Sequence, residues 1–110
     1  MRFALDVQYR GNASIVRVLG DLDVYTAPDL DTCLQQLITA GGTHLAVDLE
    51  KCSYLDSEGI KVLIRARESA GERVRLSICG AKGTVLRIFR ISGLDTVFNM
   101  LSSTDGLPGD

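Results

Sequence analysis

The sequence predicts an α/β domain built on a mixed sheet. Short segments near the start, middle and end alternate apolar and polar residues, the pattern of strands with one buried face. Between the later segments, apolar residues return every three to four positions, which is the helical period. The resulting order is β-β-α-β-α-β-α, in which strands alternating with helices favour parallel pairing after an opening hairpin. Because the strands alternate rather than reading as unbroken apolar runs, the helices should pack mainly on one face of a four- to five-stranded sheet.

The first strand is marked by Phe3, Leu5, Val7 and Tyr9 set against Ala4, Asp6 and Gln8. It ends at Gly11-Asn12, a dipeptide that tolerates positive φ, so a hairpin leads into a second strand from about Ser14 to Gly20. Leu30, Leu34, Leu37 and Ile38 then mark a first helix, with Thr26 as N-cap, Pro28 in the first turn and Gly41-Gly42 as the stop. A third strand follows through Leu45, Val47 and Leu49, and the connection Lys51 to Asp56 leads to a second helix from about Ser57 to Gly71. Ile60, Leu63 and Ile64 are its expected apolar stripe. Val74, Leu76 and Ile78 form the fourth strand. Val85, Leu86, Phe89 and Ile91 form a third, shorter helix closed by Gly93, and Thr96 to Phe98 offer a last short strand or turn. Residues 1–101 therefore read as one domain and residues 102–110, polar with Gly and Pro, as a flexible tail.

Composition narrows the function. The chain has 110 residues, 12 Lys+Arg against 14 Asp+Glu and 45% apolar residues. Area scaling gives roughly 6,000 Å² of folded surface, enough burial to fold without a metal or disulfide staple. A net charge of −2 argues against nucleic-acid binding driven by bulk phosphate attraction. No apolar run reaches the ~18 residues of a membrane span, and the N-terminus has no signal-peptide core, so a cytoplasmic protein without membrane insertion is expected. Cys33, Cys52 and Cys79 match neither a metal knuckle nor a paired disulfide framework and read as reduced, small apolar residues.

Catalytic chemistry finds little support. The single histidine, His44, opens a strand after Gly-Gly-Thr with no sequence link to a Ser or Cys nucleophile. Gly80-Ala81-Lys82-Gly83-Thr84 lacks the spacing of a phosphate-cradling P-loop, and no G-x-G-x-x-G follows the first strand. Neither the thiols nor His44 shows metal-ligand spacing, so no cofactor and no metal are expected. A hydrolase using Asp56 as base and Ser57 as nucleophile lacks a histidine partner and an oxyanion site. What stands out is Tyr54-Leu55-Asp56-Ser57-Glu58-Gly59-Ile60, a strand-to-helix turn that places Ser57 at or beside the N-cap of the second helix. Free amides there could accept its hydroxyl or a phosphate, or Ser57 simply caps the helix while Gly59 permits close packing. Lys61, Arg65, Arg67, Arg87 and Arg90 are either a basic patch or ordinary solvated charges.

Gly20-Asp21-Leu22-Asp23-Val24-Tyr25-Thr26-Ala27, Val47-Asp48-Leu49 through Ile60, and Ile91-Ser92-Gly93-Leu94 together resemble the ordered signatures of STAS domains, specifically bacterial anti-sigma factor antagonists, over roughly Phe3 to Leu101. The resemblance implies a single STAS-like domain that is a kinase substrate rather than an enzyme. It implies that the unphosphorylated chain binds an anti-sigma factor that is also a serine kinase, releasing a sigma factor, and that a serine phosphatase resets the modified form. By motif position Ser57 becomes the phosphoacceptor and Asp56 its flanking acid. Asp21, Asp23, Thr26, Glu58, Gly59 and Lys61 join them at the partner surface. Glu58 stands where the family commonly has Ser or Thr, and Lys61 where a small residue is frequent; the two either neutralise each other or set partner choice. The same fold also serves stressosome-like scaffolds and transporter-associated complexes, the alternative reading.

Overall fold

The computed structural model describes residues 3–107. Its central sheet has five strands in the order β1-β2-β3-β4-β5: Ala4–Arg10, Ala13–Leu19, His44–Asp48, Arg75–Cys79 and Asn99–Leu101. The opening hairpin pairs β1 antiparallel to β2, turning at Gly11 with φ of 57°, and every later pairing is parallel. The register aligns Val7, Val16, Val47, Ile78 and Met100 in one row across all five strands. That row lies on the face covered by the three helices, α1 (Ala27–Thr39), α2 (Ser57–Ala70) and α3 (Gly83–Ile91). All three helices are therefore on one side, as the alternation of the strands required.

Helix packing follows the periodicity with one exception. Leu30, Leu34 and Ile38 of α1 are buried. On α2 the buried set is Gly59, Val62, Leu63, Ala66 and Ala70, whereas Ile60 is half-buried and Ile64 exposed. Of the expected Ile60-Leu63-Ile64 stripe, Leu63 is in the core and Ile60 packs against it, while Ile64 turns outward and Gly59, Val62, Ala66 and Ala70 complete the inward face. Phe89 of α3 meets Phe98 edge to face, centroids 5.9 Å apart at 81°, a favoured aromatic geometry.

The C-terminal segment departs from the sequence expectation. Leu94–Thr96 forms a 3₁₀ turn, so that of the strand or turn expected at Thr96 to Phe98 the turn is found, and the last strand follows at Asn99–Leu101. Phe98 lies in the core, held against Phe89 of α3. Within the segment read from sequence as a flexible tail, Thr104–Gly106 makes a second 3₁₀ turn, and Leu107 is buried with Ile15, Ala46 and Cys79 on the sheet face that carries no helix. The guanidinium of Arg10 donates to the Thr104 carbonyl at 2.9 Å. Residues 108–110 of that expectation lie outside the described residues. The accessible surface, 6204 Å², agrees with the size scaling.

Candidate functional site

Two loops at the C-terminal ends of parallel strands meet at the site. The β2–α1 loop is closed on itself. The Asp23 carboxylate accepts from the N–H groups of Tyr25 at 2.9 Å and Thr26 at 3.1 Å. The Thr26 hydroxyl accepts from the Asp23 N–H at 2.9 Å and donates to the Asp21 carbonyl at 2.7 Å. Thr26 is the cap residue of α1 by position, but its hydroxyl makes no cap bond, because it is engaged in this reciprocal pair; the Ala27 amide donates to the Asp23 carbonyl instead, at 2.8 Å. With the polar groups turned inward, Val24 and Tyr25 project outward, 56% and 87% exposed.

The β3–α2 loop is zipped to the first. Leu22 N–H donates to the Tyr54 carbonyl at 3.0 Å and Asp56 N–H to the Leu22 carbonyl at 3.1 Å, a parallel bridge between Leu22 and Leu55, both buried. Gly59 is fixed by this contact: a Cβ there would stand 2.6 Å from Leu55 Cδ1 and 3.0 Å from Leu22 Cβ. Asp56, rather than Ser57, is the N-cap of α2; its Oδ1 accepts from the N–H groups of Glu58 at 2.9 Å and Gly59 at 3.4 Å. The structure therefore corrects the expectation of free amides waiting for the serine hydroxyl. Ser57 is the first residue of α2 and is exposed, and among the described residues its hydroxyl has no protein partner.

Glu58 and Lys61 do pair, at 3.1 Å, across one turn of α2. Between α1 and α2 runs a shallow groove of about 220 Å³ lined by Val24, Pro28, Asp31, Glu58, Lys61 and Arg65. Arg65 spans it to Asp31 at 2.9 Å. The sequence-predicted residues are thus brought to one end of the domain, but they divide by task. Asp23, Thr26, Asp56 and Gly59 shape the loops, Asp21 contributes a carbonyl, and Ser57, Glu58 and Lys61 present side chains outward. Sequence reading missed Val24, Tyr25 and the 48% exposed Tyr54. Their signal was an apolar pair and a tyrosine inside polar loop motifs, next to Leu22 and Leu55, which take the buried positions of the two loops.

The remaining candidates lie elsewhere. His44 opens β3, at the strand end opposite Ser57, and its Nδ1 lies 3.0 Å from the Thr43 hydroxyl. The proposed basic patch is divided: Lys61 and Arg65 hold carboxylates, and Arg67 Nε donates to the Val97 carbonyl at 3.2 Å. All three cysteines are free thiols, with Cys52 and Cys79 buried and Cys33 partly so; burial pushes each above the ordinary thiol range, Cys79 to about 11 with the Asp48 charge assisting. No described helix is long and apolar enough to cross a membrane.

Comparison with known proteins agrees with this architecture. The STAS domain model matches residues 4–106. An anti-sigma-B factor antagonist of Staphylococcus aureus (strain NCTC 8325 / PS 47) is 32% identical over 91 residues, covering 82% of this chain and 84% of the relative. The crystal structure of an anti-sigma factor antagonist from Mycobacterium paratuberculosis superposes with a TM-score of 0.89 at 25% identity, covering 94% of this chain and 89% of that one. The phosphorylated form of the Bacillus cell fate determinant SpoIIAA shares the fold, with a TM-score of 0.71 at 21% identity and 94% of each chain covered.

Proposed function

The chain belongs to the STAS domain family, and on that footing we propose that it is an anti-sigma factor antagonist switched by phosphorylation at Ser57. In its unmodified form it binds an anti-sigma factor with serine kinase activity in the cytoplasm and so releases a sigma factor. The observation that carries this reading is the exposed hydroxyl of Ser57, without a protein partner among the described residues, at the first residue of α2, standing at the end of the domain where Val24, Tyr25 and Tyr54 are exposed. Exposed aromatic residues around a polar centre are what a protein docking surface needs.

The kinase supplies the chemistry. Ser57 Oγ attacks the γ-phosphorus of ATP, the bond from that phosphorus to the ADP oxygen breaks, and the hydroxyl proton passes to a base of the kinase. This chain supplies an acceptor held on a rigid helix end. A serine phosphatase reverses the step by transferring the phosphoryl group to water. The product carries about −1.5 to −2 charges at neutral pH. Covering that group with a partner forfeits its hydration, and a partner carboxylate ~5 Å away adds about 1.2–1.7 kcal/mol of repulsion even at the dielectric of water. A tenfold loss of affinity takes about 1.4 kcal/mol, so release needs no unfolding of the domain.

The test is capture of partners from the native host on immobilised protein, followed by intact-mass analysis after incubation with the captured kinase and Mg·ATP. The reading predicts an ATP-binding anti-sigma factor in the eluate and one added phosphate that is absent from Ser57→Ala. Recovery of a large homo-assembly or a transporter ATPase, or a phosphate that persists in Ser57→Ala, would overturn it.

A further inference from the structure

Phosphate at Ser57 does not find the environment that a helix mouth ordinarily provides. The amides of Glu58 and Gly59 are already held by the Asp56 carboxylate, and the Ile60 amide donates to the Asp56 carbonyl at 3.1 Å. The α2 terminus leaves Ser57 only its own N–H. A dianion placed there, between the carboxylates of Asp56 and Glu58 in sequence, therefore depends on a side-chain cation. Arg65 lies two turns on and is tied to Asp31 at 2.9 Å. Lys51 lines a different cavity, together with Lys82 and Thr84 on the α3 side. Lys61 is one turn along α2 from Ser57, the i,i+4 spacing at which helical side chains meet, with Cβ atoms about 6 Å apart.

Lys61 is at present bound to Glu58 at 3.1 Å, with the lysine side chain 63% and the glutamate 40% exposed. Exposed pairs of this kind are weak, and a phosphate dianion offers a flexible ammonium more charge and more acceptors than one carboxylate. Resting on the reading of Ser57 as phosphoacceptor, we infer that Lys61 is the counter-ion of the modified serine: phosphorylation draws its ammonium from Glu58 to the phosphate. The exchange leaves Glu58 as a bare carboxylate facing the groove it shares with Val24 and Arg65. A partner then meets two new features, a partly neutralised phosphate and an unmasked carboxylate one residue away. Lys61 is thus a positioning residue that sets how deep the switch is, and Glu58 is its resting-state latch.

The test installs phosphoserine at position 57 during translation, so that no kinase has to accept the chain, and follows the second phosphate ionisation by ³¹P NMR titration at low salt. A nearby cation favours the dianion and lowers that pKa. Lys61→Gln should raise it by about half a pH unit relative to the phosphorylated wild type, Lys61→Arg should restore it, and Glu58→Gln should lower it further by freeing the lysine. Position 61 is exposed, and melting curves of each variant verify the fold. A Lys61→Gln value within 0.1 unit of wild type, a failure of arginine to restore, or a rise in Glu58→Gln would overturn the inference. Because the titration involves no kinase, a negative result here leaves the partner and mass tests of Ser57 standing, and failure of those tests removes the biological premise without moving the titration, so the two failures are told apart.

Discussion

Removing the Asp56 side chain tests how the site is built. Asp56→Ala deletes the acceptor for two amides, one at 2.9 Å and a longer one at 3.4 Å, while the Gly59 end of that turn is buried. Loss of an N-cap costs about 0.5–2 kcal/mol, and the buried second amide places this case in the upper half, about 1–2 kcal/mol. For 110 residues the unfolding entropy is about 0.23 kcal/mol per kelvin, so the melting temperature should drop by about 4–9 °C. Asp56→Asn keeps a carbonyl acceptor and loses only the charge facing the helix dipole, about 0.3–1 kcal/mol. Thermal and urea unfolding followed by circular dichroism should order the proteins wild type, Asn, Ala. Hydrogen exchange should speed up at the Glu58 and Gly59 amides in the alanine variant above all. If Asp56→Ala melts within 1 °C of wild type, or if Asn is as damaging as Ala, the carboxylate is not the cap, and the amides are free for phosphate after all.

Other expectations follow from single contacts. Gly59→Ala gains helix propensity of up to about 1 kcal/mol but forces a Cβ against Leu55 Cδ1 and the fixed Leu22 Cβ, so a net loss of about 1–2 kcal/mol is expected from overpacking; an unchanged urea midpoint contradicts the close approach of the two loops. Leu107→Ala should cost about 2 kcal/mol by uncovering Ile15, Ala46 and Cys79, and a neutral result in denaturant unfolding means that the turn after β5 does not cover the sheet. The thiol of Cys79 is raised from 9.0 to about 11 by burial and by Asp48. A raised acid stabilises the fold below its unfolded pKa and loses that contribution as pH climbs through the folded one. Stability should therefore fall between pH 9 and 11, less steeply in Cys79→Ala, and parallel slopes for the two proteins would refute the buried thiol.

The elements that could be read in the sequence were those with a period long enough to see. The seven residues of β1 alternate through Leu5, Val7 and Tyr9, and α1 repeats Leu30, Leu34 and Ile38, so both were placed closely. β5 has three residues, too few for a period, and strand and turn stay open for Thr96 to Phe98 because the burial of Phe98 comes from a tertiary contact with Phe89 and not from an alternating pattern. Leu107 was lost in a polar tail for the same reason, since its neighbours Ile15, Ala46 and Cys79 come from three different strands. At the site, the position of Ser57 was legible, as was the pairing of Glu58 with Lys61. Which of Asp56 and Ser57 caps α2 was not: both residue types cap well, and it is the extended backbone of Asp56, whose N–H is held by the Leu22 carbonyl, that puts the carboxylate on the amides. The inward turn of Asp23 and Thr26 is made by local hydrogen bonds within one loop, whereas the Leu22–Leu55 bridge that joins this loop to the next links residues more than thirty apart and leaves no local signature.

Titration of the proposed partner, an anti-sigma factor with kinase activity, by calorimetry against the unmodified chain and against the chain carrying phosphoserine at position 57, puts the central claim to its most direct trial. Affinity for the phosphorylated chain should be at least tenfold weaker, with circular dichroism spectra of the two forms superimposable. Equal affinities, or a loss of binding accompanied by a global change in the spectrum, would contradict a local charge switch at the start of α2.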